Sequence, residues 1–298
     1  MRVLFFLAFL ALTACKQTVA TNDPEDTIVK DAIISAAYPL RKQFACLPRE
    51  AAFIAAHRGV SKGEGFAENS KSSLEALIKH GILIAEVDVA GLKDGTHILY
   101  HDGVWEEKST GQGEVVASRW ADAQKILLND TDGKVTADRP AKLADILSLA
   151  KDKIYLEIDF KSSAIYKTVI DMVRTSGMAD RVILIAYNEN QARRLAQLAP
   201  EMLLSVGIRD MDDVESLKSA GVKAVNMNAW LGRGPYDRDV VDSLDRASIP
   251  ILAWPTRNQM QGGALPASLL VTDYAFDYDP VIGLSDEGFQ IYKSCLSE

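Results

Sequence analysis

Short apolar runs alternate with amphipathic stretches through most of the chain. Eight runs are rich in aliphatic or β-branched residues: Ala52–Ala56, Leu83–Val89, Ile154–Phe160, Val182–Tyr187, Leu203–Val206, Ala224–Met227, Ile251–Trp254 and Leu269–Thr272. Most are apolar throughout, the pattern of parallel strands covered on both faces. Helix-period stretches fall between them. In Ser70–His80, Leu74, Leu77 and Ile78 share one face and Gly81 follows as a stop. Lys142–Ala150, Ile165–Thr175, Glu189–Leu198, Asp212–Ser219 and Arg238–Ala247 have the same character. This alternation predicts the α/β class and a single closed (β/α)8 TIM barrel, with an open doubly wound sheet as the alternative.

One segment breaks the rhythm. Between the second and third strands, from His101 to Lys153, there is no good buried strand, only a Gly-punctuated stretch and a weak helix near Ala121–Leu128. It predicts a long loop excursion that shapes the substrate mouth, because long insertions carry function where barrel strands end.

The chain's start reads differently. After Met1-Arg2, Val3 to Leu12 is an apolar run of signal-peptide length, short of the roughly 20 residues that span a bilayer. It ends in Leu12-Thr13-Ala14-Cys15, which resembles the lipobox of bacterial lipoproteins. That resemblance implies cleavage before Cys15 and lipidation of its sulfur; an ordinary cleaved signal is the alternative. The expected division is a signal peptide over 1–14, a lipidated Cys and polar tether over 15–30, and the barrel domain over 31–298. The protein is then exported and membrane-anchored through its lipid, facing the periplasm or the cell exterior. In such an oxidising compartment the remaining cysteines, Cys46 and Cys295, are candidates for a disulfide joining the chain's ends, with two unrelated thiols as the alternative.

Hydrophobic residues make up 48% and charged residues 25%, as in a folded soluble domain, and the net charge is −8. An acidic chain has no generic attraction for nucleic acid, so any phosphate must meet a metal or a few placed cations.

Polar groups gather where the apolar runs end. The first run leads into His57-Arg58-Gly59. The second carries Glu86 and Asp88, two residues apart and so on one side of a strand. His101-Asp102 follows a short apolar run, and the third long run carries Glu157, Asp159 and Lys161 on one side. Carboxylates facing one way on a buried strand are costly unless neutralised. Glu86, Asp88 and Asp159 therefore predict a site for a hard divalent metal, Ca²⁺ or Mg²⁺, with salt bridges to Arg58 and Lys161 as the competing account.

These motifs together resemble the glycerophosphodiester phosphodiesterase family. The resemblance rests on His57-Arg58-Gly59, Glu68-Asn69-Ser70, Glu86-Val87-Asp88-Val89, Lys93-Asp94-Gly95 and His101-Asp102, in that order. It continues through Ser109-Thr110-Gly111-Gln112-Gly113, Leu156 to Lys161, Trp254 with Pro255-Thr256-Arg257-Asn258, and Thr272-Asp273. The chain departs from the pattern at Asp159, where Glu is usual; at Ala186-Tyr187, where Ser-Phe is usual; and at Lys108, where Arg is common. Asp at 159 also resembles the sphingomyelinase D relatives, and Glu157 is a possible substitute ligand.

The resemblance implies metal-dependent hydrolysis of a glycerophosphodiester to an alcohol and glycerol 3-phosphate. It implies His57 as base, His101 as acid, Arg58 and Lys161 on the phosphate, and supporting roles for Glu68 and Trp254. Histidine suits both proton transfers near neutral pH. The substrate is expected to be a small-molecule or lipid-derived phosphodiester. Two other readings stay open: a sphingomyelinase D-like or phospholipid-cleaving enzyme on the same scaffold, and a lipoprotein that binds phosphodiesters without cleaving them.

Overall fold

A computed structural model describes residues 36–231, 236–254 and 267–298. The leader, Cys15, the tether, and Pro255 to Asn258 of the tryptophan motif lie outside the described residues. No helix among the described residues is long and apolar enough to cross a membrane.

The strands, in chain order, are β1 (Ala52–Ala56), β2 (Ile84–Gly91), β3 (His97–Leu99), β4 (Ala141–Lys142), β5 (Tyr155–Phe160), β6 (Val182–Ala186), β7 (Leu203–Gly207), β8 (Met227–Trp230), β9 (Ile251–Ala253), β10 (Leu269–Thr272) and β11 (Val281–Ile282). β1, β2 and β5 through β10 run parallel. β1 pairs with both β2 and β10, which closes the barrel. β3, β4 and β11 are short antiparallel additions at its margin.

Alternate residues of each strand serve two cores, which explains the continuous apolar runs. Ile54, Val87, Ile158, Leu184, Leu204 and Ala229 point outward and pack against the helices. Phe53, Ile84, Tyr155, Ile183, Leu203 and Leu269 point inward and fill the barrel's lower half, as layered side chains do in this fold. Higher along the same inward rows the apolar residues give way to Glu86, Asp88, Glu157 and Asp159.

The helices lie close to their expected spans, at Lys71–Lys79, Leu143–Ala150, Tyr166–Thr175, Glu189–Leu198, Met211–Ser219 and Arg238–Arg246. One strand expectation is corrected. Ala224–Asn226 is a single 3-10 turn, and the strand occupies Met227–Trp230. Both segments are apolar, so composition does not separate them; pairing of Ser205 with Asn228 and Val206 with Ala229 decides the register.

The segment between β2 and β5 is more ordered than a loop. β3 and β4 pair within it, and Trp105, wholly buried, centres a small core with Ile98, Tyr100, Val115, Ala123 and Leu128. The expected helix there shortens to Trp120–Ala123. Two helices outside the repeating pattern, Leu40–Cys46 and Asp286–Ser297, pack on the barrel's lower end. Gln43 donates to the Tyr155 hydroxyl at 2.7 Å and accepts from Tyr292, which satisfies buried polar groups under the core. Cys46 and Cys295 link these helices by a disulfide, with Cα atoms 5.6 Å apart.

Candidate active site

The β2–β5 register sets the site. Glu86 faces Glu157 and Asp88 faces Asp159, so four carboxylates form two rungs at the carboxyl end of the barrel. All four are buried, none more than 6% exposed. Single ligand atoms of Glu86, Asp88 and Asp159 lie within 4.8 Å of one another. Burial, then the neighbouring Asp88 charge, pushes the Glu86 carboxyl well above the usual carboxylate range. Burial raises Glu157 to about 7, partly opposed by Ser205 and reinforced by Asp159. Ser205 lies close enough to Glu157 to act on it, yet neither Glu157 oxygen makes a well-formed hydrogen bond.

Such crowding of like charge out of water is unstable without a positive partner. Lys161 supplies one, with Nζ 2.6 Å from Asp88 Oδ1 and 2.7 Å from Asp159 Oδ2. Burial disfavours the Lys161 ammonium, but Asp88 and Asp159 outweigh it and raise its pKa. One lysine cannot balance the cluster, and Asp159 Oδ1 remains buried without a hydrogen-bond partner. Three convergent oxygen donors with an unsatisfied acceptor fit a hard divalent cation.

The turn after β1 is built under strain. Arg58 has φ 53° and Asn69 has φ 56°, left-handed values that non-glycine residues seldom adopt. The turn aims Arg58 N–H at Glu86 Oε2 (2.7 Å), while the Arg58 carbonyl accepts from Asn69 N–H (2.7 Å). Gly59 follows at φ 61°, where a Cβ would stand 2.7 Å from Leu74 Cδ1 of the first barrel helix. Asn69 then clamps Asp88, donating to Oδ2 at 2.7 Å and accepting from its N–H at 2.9 Å. Ser70 caps the Lys71–Lys79 helix, its side chain accepting from Ser73 N–H. Glu68 accepts from Arg58 Nη1 at 2.9 Å and so orients the guanidinium over the cavity.

Two histidines stand at this mouth, each backed by a carboxylate. His57 Nδ1 lies 2.7 Å from Asp273 Oδ1, and its Nε2 lies 4.0 Å from Glu86 Oε2. Lys62 donates to the other Asp273 oxygen at 2.9 Å. Burial pushes the Asp273 carboxyl up, but bonds from His57 and Lys62 overcome this and hold it well below the usual range. His101 Nδ1 lies 2.7 Å from Asp102 Oδ1. A carboxylate on Nδ1 fixes the ring's orientation and leaves Nε2 for chemistry. Both histidines line a cavity of about 430 Å³ with Arg58, Lys161 and Trp254. The Trp254 ring packs 4.1 Å from that of His57.

Every candidate residue within the described chain is thus accounted for. His57, Arg58, Glu86, Asp88, His101, Glu157, Asp159, Lys161 and Trp254 share one cavity, with Glu68 just behind it. Cys46 and Cys295 lie at the opposite end, and Cys15 is outside the described residues. Asp273, Asn69 and Tyr187 also contact these residues. Their motifs are visible in the sequence, but their partners are up to 216 positions away. The remaining histidines lie in packing contacts: His80 stacks on Phe276 at 3.9 Å, and His97 lies within β3 and accepts from Ile165 N–H.

Two carboxylate-backed histidines, two cations and a buried carboxylate cluster thus line one cavity at the carboxyl end of a (β/α)8 barrel, where barrel enzymes carry their active sites. A family model described as "Glycerophosphoryl diester phosphodiesterase family" matches residues 57–274, and the chain belongs to that family of hydrolases. Among curated relatives, an uncharacterized Bacillus subtilis protein, YqiK, is 31% identical over 167 residues, covering 53% of this chain and 67% of its own. A glycerophosphodiester phosphodiesterase of Caldanaerobacter subterraneus is 26% identical over 160 residues, covering 51% of this chain and 65% of its own. The chain therefore spans about two thirds of the length of these relatives. A glycerophosphoryl diester phosphodiesterase from Parabacteroides distasonis shares the fold with a TM-score of 0.69 at 19% identity, over 79% of this chain and 88% of that one. An Oleispira antarctica phosphodiesterase, solved with the product sn-glycerol-3-phosphate, matches with a TM-score of 0.61 at 17% identity, over 79% and 96%.

Proposed function

We propose that this protein hydrolyses glycerophosphodiesters to an alcohol and glycerol 3-phosphate, with His57 and His101 as the acid–base pair. The observation that carries the reading is the convergence of Glu86, Asp88 and Asp159 beside two carboxylate-backed histidines in one cavity. The related Oleispira enzyme, solved with sn-glycerol-3-phosphate, supports the product class.

Arg58 and Lys161 grip the phosphate, Arg through its planar fork and Lys as a point charge. Glu86, Asp88 and Asp159 hold a divalent cation, Ca²⁺ or Mg²⁺, which when bound supplies neutralisation of charge building on the phosphoryl oxygens. His57, held by Asp273, takes the proton from the nucleophile; His101, held by Asp102, gives one to the leaving oxygen. Trp254 walls the His57 side and limits water. The Asp159 side chain, one methylene shorter than the usual Glu, leaves a second reading alive: an intact lipid phosphodiester of the sphingomyelinase D type.

The apolar leader and Cys15 are proposed to deliver the protein to a membrane surface outside the cytoplasm. The Cys46–Cys295 disulfide supports an oxidising compartment. Mass spectrometry of the mature N-terminus tests this, and an unmodified Cys15 would end it.

The deciding experiment assays glycerol 3-phosphate release from glycerophosphodiesters with Ca²⁺, Mg²⁺ or EDTA, beside His57→Ala and His101→Ala. Turnover lost with EDTA and reduced at least about 100-fold in each variant is the expected result. Turnover on sphingomyelin or lysophospholipid alone would move the substrate to the second reading. Binding without turnover on any substrate would leave a phosphodiester-binding lipoprotein.

A further inference from the structure

Tyr187 directly follows β6 and is 65% exposed as a residue, yet its hydroxyl reaches inward and donates to Asp159 Oδ2 at 2.7 Å. The same oxygen receives Lys161 Nζ at 2.7 Å. The other oxygen, Oδ1, is buried and has no hydrogen-bond partner. A carboxylate with both donors on one oxygen cannot rotate freely about its last torsion, so its free oxygen keeps one direction. Here that group belongs to the Glu86–Asp88–Asp159 cluster.

Lys161 is shared, its ammonium bridging Asp88 at 2.6 Å and Asp159 at 2.7 Å, whereas among these two carboxylates the phenol donates to Asp159 alone. Its backbone is in turn tied down, with Tyr187 N–H donating to Gln191 Oε1 at 2.8 Å. Asp159 and Tyr187 are also two of the positions at which the sequence departs from the motif it resembles, and the structure brings them into contact.

We propose that Tyr187 is a positioning residue for the metal site: its hydroxyl holds Asp159 Oδ2 so that Oδ1 is presented to the cation. The proposal rests on the metal reading above. A buried acceptor without a partner is costly, and a cation would relieve it. Partners behind a ligand commonly change metal affinity by about 10–100-fold. Since Tyr187 is largely exposed, losing only its hydroxyl should leave the fold's packing in place.

The test is calorimetric titration of Ca²⁺ and Mg²⁺ into the full chain and its Tyr187→Phe variant, each stripped with EDTA, with unfolding temperatures of the stripped proteins as the folding control. Tyr187→Phe should weaken cation binding at least about 10-fold while the stripped protein melts within about 2 °C of wild type. In an Asp159→Glu background, where the longer side chain moves the carboxylate away from the phenol, adding Tyr187→Phe should change affinity less than about 2-fold. Equal affinity of wild type and Tyr187→Phe would overturn the positioning role and leave the metal reading intact. A wild-type protein that takes up neither cation would overturn both. An equal loss in both backgrounds would also overturn it, since the phenol would then act without Asp159.

Discussion

His57 and Asp273 lie 216 residues apart in the chain and 2.7 Å apart in space. β1 and β10 pair directly at the seam of the barrel, in register at Ala56 and Thr272, so the residues that follow each strand end meet. The histidine reads as catalytic from its motif; its orientation depends on a carboxylate from the far end of the fold.

Asp273→Asn should therefore lower kcat by about 10²–10⁴-fold with a smaller change in KM, because the ring loses its fixed tautomer while the cavity remains. Lys62→Ala, which removes the donor on the other Asp273 oxygen, should have a lesser effect in the same direction. Steady-state kinetics on a soluble glycerophosphodiester would check both. An unchanged kcat in Asp273→Asn would mean that His57 needs no such partner.

Asn69 tests the clamp on Asp88. Asn69→Gly keeps the left-handed backbone accessible and removes only the amide that meets Asp88 twice. Hydrogen bonds to a charged group contribute about 1.5–3 kcal/mol, so urea unfolding should show a loss of that order. Metal binding should weaken in parallel. Full stability in Asn69→Gly would show that Asp88 finds another partner.

Glu157, raised to about 7 by burial in the folded state, gives a pH signature. The unfolded chain releases this proton near pH 4.3 and the folded protein holds it to about 7, so folding stability falls as pH rises between those values. Above about 7 the penalty is complete and constant. With EDTA present, Glu157→Gln should remove that slope, gaining on wild type by an amount on the order of 3 kcal/mol across the window. Chemical unfolding at several pH values measures it; parallel pH curves for the two proteins would contradict the raised value.

The Cys46–Cys295 bond closes a loop of sequence separation 249 beneath the barrel. Replacing both cysteines by serine should lower stability by about 2–5 kcal/mol, seen as an earlier urea midpoint with active-site kinetics little changed. The bond ties down two helices that pack on the end opposite the carboxylate cluster. A midpoint that did not move would mean that packing of Phe44, Tyr292 and Leu296 suffices.

The sequence determined the strand–helix alternation, the barrel class and most of the site, because those signals are local. A buried parallel strand must be apolar throughout, a helix must show its period, and a carboxylate in an apolar run stands out at once. The candidate motifs also sit toward strand ends, where this fold gathers chemistry. Other features depended on tertiary structure. Ala224–Met227 and Met227–Trp230 are alike in composition, and only pairing with β7 chose between them. The excursion's core around Trp105 draws on residues too scattered to show a period. The contacts within the site, Asp273 to His57, Asn69 to Asp88 and Tyr187 to Asp159, join side chains from different turns of the barrel. Such contacts are set by strand register and closure, which no stretch of sequence carries on its own.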